Sequence, residues 1–157
     1  MLKIRQATAA RDIDTTRALL HDYQRSLGVD LSFQDFESEL RDLPGEYAAP
    51  RGRLLLAWHG EVPVGCVALR AAGGERCEMK RLFVRAGTRG LGVGRALVEA
   101  VLDAASAIGY AQIVLDTLPM MADAQRLYET FGFRDIAPYR PNPIPGTRYL
   151  GRSVARC

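Results

Sequence analysis

Apolar positions alternate or run together in several short stretches of the chain, and in others they recur every three or four residues. Short apolar runs are typical of strands, whereas the wider spacing is typical of a helix with one buried face. Gly and Pro residues separate the stretches. The pattern predicts about seven strands, at 3–6, 53–58, 62–69, 76–84, 112–117, 133–136 and 147–154. It also predicts four helices, at 13–27, 33–43, 92–108 and 121–131.

Signals for helix ends support these limits. Asp12 and Ser32 are placed to cap the first two helices, and Gly28 and Gly109 follow the first and third, where glycine commonly ends a helix. No repeat, low-complexity tract or linker divides the chain. We therefore expect one domain over residues 1–157, of mixed α/β (α+β) class, with a mostly antiparallel mixed sheet and helices on both faces.

A glycine-rich turn precedes the third helix and reads Arg89-Gly90-Leu91-Gly92-Val93-Gly94. Glycine lets the backbone approach a ligand closely, and a helix N-terminus presents unpaired N–H groups, so the turn predicts a site for a phosphorylated ligand. Arg95 follows Gly94, so the Lys-Ser/Thr ending of a P-loop is missing. The dinucleotide pattern would need a third glycine at Arg95 or Leu97.

The remaining pattern, Arg89-x-x-Gly92-x-Gly94, resembles the Q/R-x-x-G-x-G/A signature of the GCN5-related N-acetyltransferase (GNAT) superfamily. A second stretch, 124–129 followed by Gly132-Phe133, resembles that family's A-x-x-L-Y-E-x-x-G-F motif. Residues 79–84 lead into the turn as the family's fourth strand does. The sequence is thus identified as a small bacterial-type member of this superfamily, with a single N-acetyltransferase domain.

The resemblance implies that acetyl-CoA is the cosubstrate. In the family, the strand before the turn parts from its neighbour and binds the pantetheine arm through its main chain, which corresponds here to Leu82, Phe83 and Val84. The turn would hold the pyrophosphate, through Arg89, Gly90, Leu91, Gly92, Val93, Gly94 and Arg95. We also expect the basic side chains nearby to face these phosphates, namely Lys80, Arg81, Arg85, Arg89 and Arg95.

Two residues match catalytic positions of the family. Tyr128 would be the general acid that protonates the leaving thiolate, or else a packing residue of its helix. Glu78 lies eleven residues before Arg89, where a glutamate serves as base in one branch of the family; an ion pair with a neighbouring Lys or Arg is the alternative. Asp116 is the reserve candidate, and a water chain is a third. Met121 stands where many members have an asparagine that orders the cofactor arm or water.

The resemblance implies acetyl transfer to a primary amine of a small molecule, an amino-acid-like acceptor among them, by direct attack in a ternary complex. The loop at 138–148 contains four prolines, and its Tyr139, Arg140 and Arg148 could bind an acceptor carboxylate or simply face solvent. A protein lysine or N-terminal acetyltransferase is an alternative. A non-catalytic acyl-CoA-binding regulator is another.

Charge and composition narrow the partners. The net charge of +3 is too small to indicate nucleic acid, and no apolar run approaches membrane-spanning length. Cys66, Cys77 and Cys157 form no C-x-x-C pair, which favours a reducing cytoplasm. His21 and His59 are the only histidines, so we expect no metal. A homodimer stays among the expectations.

Overall fold

The computed structural model describes residues 1–28, 30–31, 35–88 and 90–154. Its strands are β1 (Leu2–Gln6), β2 (Arg53–His59), β3 (Val62–Ala71), β4 (Arg76–Val84), β5 (Gln112–Thr117), β6 (Arg134–Asp135) and β7 (Arg148–Ser153). Its α-helices are α1 (Ala10–Leu27), α2 (Phe36–Arg41), α3 (Val93–Ile108) and α4 (Ala122–Thr130). A 3-10 turn spans Gly45–Tyr47. No helix in the described residues is both long enough and apolar enough to span a membrane.

All seven strands form one sheet, in the order β1-β2-β3-β4-β5-β7-β6. Every neighbouring pair is antiparallel except β4 and β5, which run parallel. A parallel pair needs a crossover connection, and α3 forms the crossover between these two strands. The predicted fold class, a mixed and mostly antiparallel sheet with four helices, is confirmed.

Each face of the sheet buries its own apolar cluster. α3 and α4 cover one face, where Leu97 packs near Ile113. α1 and α2 cover the other, where Leu20 and Phe36 pack near Leu54. Burying a side chain of this size contributes roughly 1.5–3 kcal/mol, so the two clusters hold the helices against the sheet.

Two predicted helix limits are wrong. α1 begins at Ala10 after Ala9, so Asp12 lies inside its first turn and does not cap it; a carboxylate there still interacts favourably with the helix dipole. α2 ends at Arg41, and Leu43 is buried beyond the helix. Leu43 does not join the helix because a residue that precedes a proline, here Pro44, disfavours helical torsions. Ser32 and Phe33, the predicted start of this helix, lie outside the described residues.

β4 contains a bulge. Lys80 pairs with Ala68 and Phe83 pairs with Cys66, so β4 has one more residue than β3 between these two pairs. Arg81 occupies the bulge with a φ of 62°, in the left-handed region that a non-glycine residue rarely adopts. The bulge changes which side chains share a face of the strand.

Side chains before and after the bulge therefore lie on different faces than simple alternation predicts. Leu82 and Val84 pack against the same apolar cluster as Met79, beside α3. Strand alternation in the sequence predicts that Glu78 shares a face with Leu82 and Val84. This prediction is wrong, because the extra residue reverses the alternation between Lys80 and Leu82.

The parallel ladder between β4 and β5 is short. It runs from Arg76 and Gln112 to Glu78 and Val114, although β4 continues to Val84 and β5 to Thr117. β4 keeps its pairing with β3 up to Val84. The sheet is therefore open between the C-terminal parts of β4 and β5, and a cavity lies there.

Candidate active site

The turn before α3 has the backbone that its glycines predicted. Gly90 has a φ of 87°, and Gly92 has a φ of 71° and is the N-cap of α3. Gly92 has no side chain to cap the helix, and the first turn of α3 carries no acidic residue. A Cβ built on Gly90 or Gly92 would meet nothing within 4 Å. The first N–H groups of α3 are thus open to an anionic ligand.

A cleft lies beside this turn. It is lined by the end of β4, the turn and the start of α3, and α4 forms another wall. A Cβ on Gly94 would lie only 3.1 Å from Leu127 Cδ2. The predicted cofactor residues that line the cleft are Leu82, Val84, Gly90, Gly92, Val93, Gly94 and Arg95. Phe83 points its ring away, edge-on to Tyr23 at 6.1 Å between centroids. Leu91 is exposed, and Arg89 lies outside the described residues.

A second, inner cavity lies next to the cleft, and Leu82 lines both. It occupies the opening between β4 and β5. Its charged groups are Lys80 and Arg81 of β4 and Asp116 of β5, and Tyr128 of α4 lines it as well. The fold thus brings the predicted acid Tyr128 and the reserve base Asp116 to one cavity, next to the predicted cofactor cleft.

Tyr128 is buried among apolar neighbours and its ring lies 5.8 Å from that of Phe133. Burial first, and then Tyr23 and Asp116, raise the pKa of Tyr128 above its ordinary 10.0. The phenol therefore stays protonated at neutral pH. A protonated phenol beside the cavity can donate a proton to a group that lies in it.

Glu78 is fully buried and its carboxylate already has three donors. Arg70 Nε donates at 3.0 Å, the Tyr139 hydroxyl donates at 2.6 Å, and Arg140 also donates to it. Burial alone would raise the pKa of Glu78, but Lys80, Tyr139 and the two arginines lower it overall. The ion-pair alternative is thus present in the structure, whereas the role of Glu78 as base stays a prediction.

Comparisons with known proteins agree with this arrangement. The sequence model of the Acetyltransferase (GNAT) family matches residues 16–133. The chain belongs to the GNAT acetyltransferase family. An uncharacterized N-acetyltransferase of Schizosaccharomyces pombe is 40% identical, and the match covers 93% of this chain and 91% of that protein.

More distant relatives extend the comparison. An IAA acetyltransferase of Azospirillum brasilense is 35% identical over 83% of this chain and 86% of its own. The crystal structure of a GNAT acetyltransferase from Staphylococcus aureus superposes with a TM-score of 0.82 at 22% identity, covering 99% of this chain and 100% of that one. The predicted family is confirmed, and the protein is an N-acetyltransferase.

Two arginines proposed to bind an acceptor carboxylate in this GNAT protein are occupied by its own carboxylates. Arg140 is held by Glu78, and Arg148 lies 3.0 Å from Asp135 and 3.2 Å from Glu129. The loop of 138–148 therefore packs its cations against the protein. These arginines are already paired within the protein, which disfavours an acceptor carboxylate site at either of them.

The basic cluster that was expected to face the cofactor phosphates is dispersed. Arg81 donates to both oxygens of Glu39, Arg85 lies 3.5 Å from Asp22, and Arg95 stacks 5.3 Å above the ring of Phe131. Lys80 lies in the inner cavity. The expectation is wrong for Arg81 and Lys80, which line the inner cavity and not the cleft at the turn.

Two further residues of the cavity have consequences for the chemistry. Met121 accepts a hydrogen bond from Thr117 Oγ1 through its sulfur at 3.6 Å, so it is part of the wall. Tyr23 of α1 lines the cavity from the opposite side. In the sequence it recurs with the apolar residues of α1, so nothing there indicated this role. Among the described residues, no three His, Cys, Asp or Glu side chains are grouped as a metal site requires. The expected absence of metal stays a prediction.

Proposed function

We propose that this protein transfers an acetyl group from acetyl-CoA to a primary amine of a small molecule, by direct attack of the amine in a ternary complex. The observation that carries the proposal is that the two sites are adjacent. The cleft at the α3 turn and the cavity that contains Tyr128 and Asp116 meet at Leu82. The thioester end of a cosubstrate held in the cleft would reach the cavity past Leu82, at the opening between β4 and β5.

The residues of the cleft fit acetyl-CoA. Open space at Gly90 and Gly92 and the free N–H groups of α3 suit a pyrophosphate. The β4 main chain beyond Glu78 has no ladder to β5, so its polar groups on that side are available to the pantetheine arm. The cosubstrate would supply an activated acetyl thioester. A main-chain N–H donor to its carbonyl oxygen is typically worth ~3 kcal/mol.

Two protons must move. An alkylammonium with a pKa of about 10.4 is roughly one part in a thousand neutral at pH 7, so a nearby carboxylate helps to remove its proton. Asp116 lines the cavity, whereas Glu78 lines a different cleft with Arg70 and Arg140. This supports Asp116 as the base, alone or through water. Tyr128 would then protonate the leaving thiolate.

The walls of the cavity favour a small acceptor over a protein. Tyr23, Leu31, Leu118 and Met121 surround the cavity from α1, the segment after it and the segment between β5 and α4. An extended peptide would need an open groove here. Action on a protein lysine or N-terminus is the second candidate. A cytoplasmic location, a homodimer and the absence of nucleic-acid partners stay predictions.

The test is thiol release from acetyl-CoA with separate pools of free amino acids, polyamines, aminoglycosides and lysine peptides, followed by mass spectrometry of the products. We expect release and an acetylated product in a small-molecule pool. Acetylation only of peptides would favour the protein acetyltransferase. Tight acetyl-CoA binding without release in any pool would contradict the proposal and favour a non-catalytic acyl-CoA-binding role.

A further inference from the structure

Lys80 is an unusual cation for this chain. Arginine supplies nearly all of its basic groups, and Lys3 and Lys80 are the two lysines in the sequence. The side chain of Lys80 is buried, at 7% exposure, and lines the inner cavity. Among the residues that the structure describes, no carboxylate lies within 4 Å of its ammonium group. Burying an ammonium that makes no close ion pair is costly, and an anionic ligand in the cavity would offset part of that cost.

The carboxylates near Lys80 already have other partners. Glu78 is held by Arg70, Arg140 and Tyr139. Glu39 accepts both bonds from Arg81, at 2.8 and 2.9 Å. The protein therefore leaves an excess of positive charge at this wall of the cavity.

The charge of Lys80 persists at neutral pH. Burial first, and then the charge of Arg81, lower the pKa of Lys80 from its ordinary 10.5 to about 8. At pH 7 roughly nine tenths of the groups remain protonated. An anion bound here would regain the interaction that burial removed, and a charge-assisted hydrogen bond is stronger than a neutral one.

Asp116 supplies the opposite charge in the same cavity. Its closest described partner is Asn142 Nδ2 at 3.4 Å, a long contact, and within the described residues no cation lies within 4 Å of it. The cavity thus presents an ammonium and a carboxylate that are not paired with each other. A small zwitterion carries one ammonium and one carboxylate, so its charges are complementary to this pair.

This inference rests on the proposed function. We propose that the acceptor is a small amine that also carries a carboxylate, as a free amino acid does, and that Lys80 binds the carboxylate. The amine then lies toward Asp116 and Tyr128. Lys80 is a specificity-determining residue in this account, and acetyl-CoA binding does not depend on it.

The test compares each acceptor acid with its carboxamide, which keeps the amine and removes the negative charge. We expect the wild type to prefer the acid by about ten- to a hundredfold in kcat/KM, the range of one charge-assisted hydrogen bond. Lys80→Met should remove this preference, mainly through a higher KM for the acid, and Lys80→Arg should retain part of it. Lys3→Met, at an exposed position of β1, is the matched control and should leave the preference unchanged.

Calorimetric titration of acetyl-CoA into each variant separates the outcomes. Unchanged affinity in Lys80→Met shows that the variant is folded and that its loss concerns the acceptor. Equal use of acid and carboxamide by the wild type, or turnover only of amines without an acid group, would overturn this inference and leave the acetyltransferase proposal intact. A preference that survives in Lys80→Met would also overturn it. If no amine in any pool supports thiol release, both this inference and the acetyltransferase proposal are contradicted.

Discussion

Glu78 marks the limit of residue-scale prediction. Its type and position identified it as a candidate base, with an ion pair as the alternative. Its partners Tyr139 and Arg140 come from 61 and 62 residues further along the chain, in a loop without regular structure. No local pattern specifies such contacts, so the sequence could identify Glu78 but could not choose between base and ion pair.

The network around Glu78 leads to a stability prediction. Glu78→Gln leaves Arg70, Arg140 and Tyr139 without their charged acceptor, and breaking a buried ion pair costs about 3 kcal/mol or more. Glu46→Gln is the control, because that carboxylate also pairs with Arg70 but is 72% exposed, and such pairs are worth about 1 kcal/mol or less. Urea denaturation measures both free energies of unfolding. Similar small losses in the two variants would contradict the network as a stabilising element.

Tyr128 leads to a catalytic prediction. Tyr128→Phe removes one hydroxyl from the cavity and should lower kcat by roughly ten- to a thousandfold, with acetyl-CoA affinity unchanged. Tyr110→Phe is the control, since the buried Tyr110 donates to the Arg51 carbonyl at 2.7 Å and does not line the cavity. The raised pKa of Tyr128 also predicts that its ionisation does not limit the rate below about pH 10. Full activity of Tyr128→Phe would contradict the catalytic role and show that Tyr128 only packs in the core.

At the scale of elements, the hydrophobic pattern predicted β4 and β5 with the bounds that the structure has, and it predicted the α3 turn. The bulge in β4 has no such signal. A left-handed torsion at Arg81 costs about 1–2 kcal/mol and usually requires glycine. Here the Arg81 side chain is held by Glu39 and lies 4.8 Å above the ring of Phe36, both on α2. Tertiary contacts thus fix a local backbone state that the local sequence does not indicate.

The α3 turn carries the prediction at this scale. Gly92→Glu places a carboxylate at the N-terminus of α3, in open space beside the cleft, and should abolish measurable acetyl-CoA binding by repelling its phosphates. Gly60→Glu is the control: its φ of 63° is close to the 71° of Gly92, and its Cβ also meets nothing within 4 Å. Both variants share the backbone strain, so circular dichroism should show equal folding. Unchanged acetyl-CoA affinity in Gly92→Glu would contradict the assignment of the turn.

At the scale of the whole molecule, the site depends on where one ladder ends. The order and type of the elements predicted a mixed sheet, because α3 connects strands that must run parallel. The end of the β4–β5 ladder at Glu78 and Val114 could not be predicted. Ladder length depends on how the sheet twists and on which helices pack beside it, and both are properties of the assembled fold. The cavity, with Lys80 on one side and Asp116 on the other, follows from that opening.

The central claim is that acetyl-CoA and an amine meet in this cavity and react directly. The most direct measurement is the initial rate of thiol release over a grid of acetyl-CoA and acceptor concentrations. The account predicts release that requires the amine, with double-reciprocal lines that intersect, because both substrates are bound before transfer. Parallel lines, the pattern of a covalent acetyl-enzyme, or release that is independent of the amine would contradict it.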